Sequence, residues 1–145
     1  MDSQLSISYY MLEDHKMLDK MLNQVLDGFG MSQNDIKNQF QEFKDKLEKH
    51  MQTEEQAIFS FSNLGDEEAM RIVRELLVEH GVIRTRLEEL SLLIIKGEKP
   101  EDFGDFVKLL NKHQSIESDV LYPKLDKDLK FDEKKFVLQK INSLR

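Results

Sequence analysis

Residues 36–61 read IKNQFQEFKDKLEKHMQTEEQAIFSF. Within them Ile36, Phe40, Phe43, Leu47, His50, Glu54, Ala57 and Phe61 recur at alternating spacings of three and four. That spacing is the seam of a helix packed in a bundle. All but His50 and Glu54 are apolar, and those two lie one turn apart on the same face. Ionisable side chains on a buried seam are costly unless something pairs with them. The stretch therefore raises the fold and the chemistry together.

Three further stripes repeat the pattern. The first runs Met11, His15, Leu18, Leu22, Val25. The third runs Ala69, Val73, Leu76, His80, Ile83, Leu87, Leu90, Ile94, and the fourth Phe103, Phe106, Leu110, His113, Glu117, Val120. Breaks fall between them, at Asp27-Gly28-Phe29-Gly30, at Ser62-Asn63-Leu64-Gly65-Asp66 and at Lys96-Gly97-Glu98-Lys99-Pro100, where glycine and proline interrupt helices. Ser32 or Asn34 suits the cap of the second helix and Asp66 that of the third. After Pro123, residues 132–144 read as a short fifth helix on the bundle's outside. Short connections imply antiparallel neighbours. The expected architecture is all-α: a single domain over 1–145, an up-down-up-down four-helix bundle over about 5–125 and the extra helix at about 132–144. No internal sequence repeat or low-complexity tract is evident.

Composition narrows the function. A chain of 145 residues can bury a core without covalent staples. It has no cysteine, which excludes disulfides, zinc ribbons, cysteinyl iron–sulfur clusters and thiol catalysis. The net charge is −7 with both signs interspersed, so nucleic acid is not an expected partner. No apolar run approaches the roughly 18 residues of a membrane span. The N-terminus lacks a basic region followed by an apolar one. A soluble cytoplasmic protein without a membrane partner is expected.

The four histidines, His15, His50, His80 and His113, are the chain's only ones, one per helix and all on the seams. His50 is followed one turn later by Glu54, and His113 by Glu117. Each pair aims an imidazole and a carboxylate at one point. Counting from helix ends places the histidines at similar heights; His15 and His50 are offset by roughly 5 residues, about 7 Å at 1.5 Å per residue. A lone histidine is an ordinary core residue, and HxxxE by itself is a weak motif. It is the conjunction that points to a metal. Four imidazoles and two carboxylates suit two cations bridged by Glu54 and Glu117, each with two histidines. Each histidine also has leucine three residues earlier: Leu12, Leu47, Leu77 and Leu110. If functional, these would line a dry pocket for a small molecule.

The motifs EDHKML around His15, KHMQTEEQAIF around His50 and Glu54, VEHGVIRTRL around His80 and LNKHQSIESDVLYP around His113 and Glu117 resemble the hemerythrin family in its HHE cation-binding branch. The resemblance spans residues 10–125. Ferritin-like proteins share the bundle but use Glu-x-x-His, whereas here leucine precedes every histidine by three. The resemblance implies a non-heme centre of two iron ions, bridged by carboxylates and an oxo or hydroxo group, with manganese or zinc as alternatives. Its partner would be oxygen, nitric oxide or peroxide. Oxygen carriers of the family have a fifth histidine one turn after that of the third helix; here Arg84 stands there. Their fourth-helix carboxylate is an aspartate one residue further along, and Asp119 does not occupy that place. Reversible carriage is therefore in doubt and a more open, reactive centre is implied. Glu13, Asp14, Glu55, Glu79 and Tyr10 lie off the stripes and read as solvated faces rather than further ligands. Arg84 reaches solvent or pairs with an acid such as Glu88. Three functions remain open: a protein that binds or senses a small diatomic or peroxide, an oxidative, repair or peroxidase-like enzyme, and a structural zinc bundle acting as an interaction module.

Overall fold

The computed structural model describes residues 6–64 and 66–145. Its helices are α1 (Ile7–Asp27), α2 (Gln33–Thr53), α3 (Glu67–Ile95), α4 (Phe103–Ile116), α5 (Tyr122–Asp128) and α6 (Phe131–Leu144). A π-helical turn, Glu54–Ile58, prolongs α2, and a second, Glu117–Leu121, joins α4 to α5 without a break. Among the described residues there is no strand. α1 packs on α2, α2 on α3, α3 on α4, and α5 closes the ring against α1. This is the expected bundle. α6 packs against the 54–58 turn and α1, one residue longer at its start than the sequence implied. The expected bundle start at residue 5, and Gly65 of the second break, lie outside the described residues.

Local chemistry explains the ends. Ser32 Oγ accepts from Asp35 N at 3.3 Å, and Asp66 Oδ1 from Ala69 N at 3.0 Å, capping α2 and α3. Ser6 Oγ does the same for α1, accepting from Tyr9 N at 3.1 Å. Asp126 of α5 also accepts from Ile7 N at 2.7 Å and Ser8 N at 3.0 Å, so α1 starts on a carboxylate of its neighbour. α3 stops at Gly97, whose φ is 83°, a left-handed conformation that favours glycine. A side chain there would also collide with Gln33. Pro123, which lacks an N–H to bond back along a helix, stands just past the second π turn, where the regular bonding of α4 is already interrupted.

The height mismatch between His15 and His50 is resolved by the Gly28–Gly30 3-10 turn. Three residues at about 2 Å rise each lengthen α1 by about 6 Å, close to the deficit. The four histidines then form one layer across the bundle. Below it, toward the 28–32 and 96–102 connections, Leu18, Leu22, Phe40, Phe43, Leu87, Phe103 and Phe106 belong to one buried cluster. Above it, Ile7, Met11, Ile58, Leu76, Leu121, Tyr122 and Ile141 belong to another. No helix among the described residues is long and apolar enough to cross a membrane.

The π turns correct the stripes. Val120, expected inside, is 42% exposed, while Leu121 and Tyr122 are fully buried. A π turn holds one more residue than an α turn, so the buried face moves one position along. Likewise Ile58 and Phe59 are buried beyond Glu54, and Phe61 only partly.

Candidate metal centre

All six seam residues converge. His80, Glu54 and Glu117 are fully buried, and His15, His50 and His113 nearly so. The rings of His15 and His50 lie 5.0 Å apart and those of His80 and His113 4.9 Å apart. Glu54 Oε1 is 3.3 Å from His50 Nε2 and 3.3 Å from His80 Nε2. Glu117 Oε1 is 3.2 Å from His15 Nε2, and its Oε2 is 3.2 Å from His113 Nε2. Each glutamate therefore reaches both histidine pairs, Glu117 with its two oxygens and Glu54 with Oε1 alone.

The outer edge of each ring is also held. His50 Nδ1 meets Asp14 Oδ2 at 3.2 Å, His80 Nδ1 meets Glu55 Oε2 at 2.6 Å and His113 Nδ1 meets Glu79 Oε1 at 2.8 Å. His15 Nδ1 meets the Ser118 hydroxyl at 2.9 Å. A carboxylate that accepts from Nδ1–H leaves the Nε2 lone pair facing inward, the tautomer a metal-binding histidine needs. Asp14, Glu55 and Glu79 are thus not solvated faces. Asp14 and Glu79 precede a histidine, and Glu55 and Ser118 follow a glutamate. One residue along a helix turns about 100°, which directs these side chains into the neighbouring helix interface. Each supports the histidine of another helix.

Tyr122 completes the site and was missed from sequence, although it stands in the LYP that follows Glu117. Its hydroxyl donates to Glu54 Oε2 at 2.5 Å and lies 3.5 Å from His15 Nε2. Burial, reinforced by the charges of Glu117 and Glu54, pushes its pKa well above the ordinary phenol value, so it keeps its proton. Burial and the charge of Glu54 push Glu117 well above the ordinary carboxylate range. Burial acts on Glu54 in the same sense, but the charge of the adjoining His50 holds it well below. Burial and His50 push His15 down to about 4, whereas Glu54 and Asp14 overcome burial and raise His50 to about 9.

Two expectations need correction. Leu47 and Leu110 are buried, but Leu12 is 36% and Leu77 42% exposed. On α1 and α3 the core position next to the histidine is the fourth residue before it, Met11 and Leu76, both fully buried; the third is turned outward. Four leucines do not enclose one pocket. Arg84 pairs not with Glu88, which takes Lys44, but with Glu48 and Glu55, its Nη1 lying 2.9 Å from Glu55 Oε2. The guanidinium thereby steadies the acid that holds His80.

Six atoms at the centre are buried without a hydrogen-bond partner: Nε2 of His50, His80 and His113, Oε1 of Glu54, and both carboxylate oxygens of Glu117. Buried polar atoms are ordinarily satisfied, and inward nitrogen and oxygen donors are what a transition-metal cation takes. Donor atoms of Glu54, His80, His113 and Glu117 lie within 4.8 Å of one another, as do those of His15, His50 and Glu117. The residues present fit a metal centre.

The sequence profile of the hemerythrin HHE cation-binding domain matches residues 6–125. The chain belongs to the hemerythrin HHE family. No curated protein and no solved structure gives a significant match. Membership in a cation-binding family agrees with the convergence of the six seam residues. Within this hemerythrin domain the matched segment supplies every candidate ligand, and α6 falls outside it, although Arg145 at its end reaches Asp14 Oδ1 at 2.7 Å.

Proposed function

We propose that this hemerythrin domain is a non-heme di-iron protein that binds or reacts with oxygen, nitric oxide or peroxide, in sensing or in protection against stress. The observation behind this reading is the bridging placement of Glu54 and Glu117, each between both histidine pairs. His15 and His50 would hold one iron, His80 and His113 the other. When bound, the iron pair supplies open coordination positions and electrons for a small oxidant or diatomic.

The chain supplies the rest. Asp14, Glu55, Glu79 and Ser118 lock the imidazoles, which preorganises the donors. The apolar clusters on both sides exclude water. Tyr122 holds a proton at Glu54 Oε2, inside the donor layer. That proton, and Arg84 in place of a further histidine, favour a reactive centre over a reversible carrier. An oxidative or peroxidase-like activity is accordingly the second reading.

Anaerobic loading with Fe(II), metal quantification and optical spectra after exposure to air, nitric oxide or peroxide test the proposal. About two irons per chain are expected, with absorption that changes on exposure and is lost in the His50→Ala, His113→Ala double variant. A stoichiometry near zero would overturn it. Chelation should lower stability as well: a ligand at 100 times its Kd contributes about 2.7 kcal/mol.

A further inference from the structure

The donor layer has an approximate two-fold relation between α1–α2 and the α3–α4 half. His15 corresponds to His80, His50 to His113 and Glu54 to Glu117. Asp14, which precedes His15, corresponds to Glu79, which precedes His80, and each holds the other histidine of its pair. The relation fails at two positions. The residue after each glutamate is Glu55 in one half and Ser118 in the other, so His80 is held by a carboxylate and His15 by a neutral hydroxyl. The fifth residue after each glutamate is Phe59 in one half and Tyr122 in the other. Phe59 stacks on His80 with ring centroids 5.4 Å apart, and Tyr122 packs on His15 at 5.7 Å. Only the tyrosine brings a hydroxyl, and that hydroxyl is bonded to Glu54 Oε2.

Both differences fall beside His15: Ser118 is bonded to its Nδ1, and the Tyr122 hydroxyl that takes Glu54 Oε2 stands 3.5 Å from its Nε2. Glu117 spreads its two oxygens over His15 and His113. Glu54 meets His50 and His80 with Oε1 alone, because Tyr122 occupies Oε2. The donors accordingly group as four around His80 and His113 but three around His15 and His50, with Glu54 absent from the smaller set. Access is unequal too. A groove of about 240 Å³ is lined by Asp14, Lys49, His50 and Thr53. Another of about 320 Å³ is lined by His15, Asn111, Gln114 and Ser118. Neither is lined by His80 or His113.

Building on the dinuclear reading, we infer that the two metal positions are inequivalent and fill in order. The His80–His113 position takes a divalent cation first and tightly. The His15–His50 position takes the second cation more weakly and exchanges it through the α1 grooves, with Tyr122 and Ser118 setting the difference. Loss of a supporting carboxylate typically weakens metal affinity 10–100-fold, so a separation of about that size is expected between the steps.

The test is anaerobic calorimetric titration of the metal-free full chain with Fe(II), repeated with Co(II), whose visible absorption reports coordination. Two steps separated by at least about tenfold are expected. His15→Ala should abolish only the weaker step, and His113→Ala should remove the tighter one. Tyr122→Phe frees Glu54 Oε2, and Ser118→Asp restores a carboxylate behind His15; each should tighten the second step and leave the first within about twofold. Two indistinguishable steps, or a tighter step lost with His15 and kept without His113, would overturn the ordering while leaving the dinuclear centre intact. A second step unmoved by both Tyr122→Phe and Ser118→Asp would overturn the roles given to those residues. Absence of binding would overturn the dinuclear reading itself.

Discussion

Below the donor layer the core is aromatic. Phe40 and Phe103 meet at 6.4 Å, Phe43 and Phe106 edge to face at 6.3 Å, and Phe29 caps Phe103 at 5.4 Å. Above the layer the core is largely aliphatic, and polar ties hold it to the helix ends. Asp126 grips the start of α1, and Lys124 Nζ lies 2.8 Å from Asp66 Oδ2 at the start of α3. Apart from the Gly28–Gly30 3-10 turn at its end, the lower half is α-helix, whereas both π turns lie on the upper side of the layer. The contrast separates two tasks. The aromatic half sets the helices apart at a fixed distance, and the upper half bends locally to deliver Glu54, Glu117 and Tyr122 to one point. π turns often mark functional positions.

That contrast can be broken by measurement. The largest effect is expected from Phe43→Ala, which empties a fully buried site in the aromatic half and should cost about 3–5 kcal/mol in urea unfolding. A loss below about 1 kcal/mol would mean that the lower half is not the rigid one. Next comes a paired comparison across the second π turn. Leu121→Ala should cost about 2–5 kcal/mol, while Val120→Ala, half-exposed beside it, should stay within about 0.5 kcal/mol. Equal losses would restore the regular register and remove the π turn. The smallest effect concerns acid. The Lys124 ammonium and the Ala69 amide hold the Asp66 carboxyl below its ordinary value of 3.8. Its contribution to stability is therefore complete above that value and fades as pH falls through the lowered one. Protection of the amides in the first turn of α3 against hydrogen exchange should fall there, and in Lys124→Met that fall should be smaller, with only the Ala69 amide still holding Asp66.

The same contrast explains what could be read in advance. The stripes of α1 and α3, and those of α2 and α4 as far as Glu54 and Glu117, hold in the structure because a regular helix preserves the spacing of three and four. The misplacement of Val120 begins where the helix admits an extra residue, and nothing in IESDVLYP marks that point to a template with a fixed period. The six converging residues were legible because each is an ionisable group on an apolar stripe. Asp14, Glu55 and Glu79 were not, because a supporting residue sits about 100° from its neighbouring ligand and shares the composition of an exposed face. Tyr122 was hidden because a stripe of fixed period passes through Val120 and leaves it off the seam, and only the 2.5 Å contact with Glu54 shows what its hydroxyl does.

The donor layer draws together segments near residues 15, 50, 80 and 113 in a chain without cysteine. A cation held there closes long loops much as a disulfide would, and restricting the unfolded chain in that way favours the native state. Unlike a disulfide, this staple is opened by competition for metal rather than by thiols. With a cation bound, the fold's cohesion would be tied to the supply of metal in its surroundings.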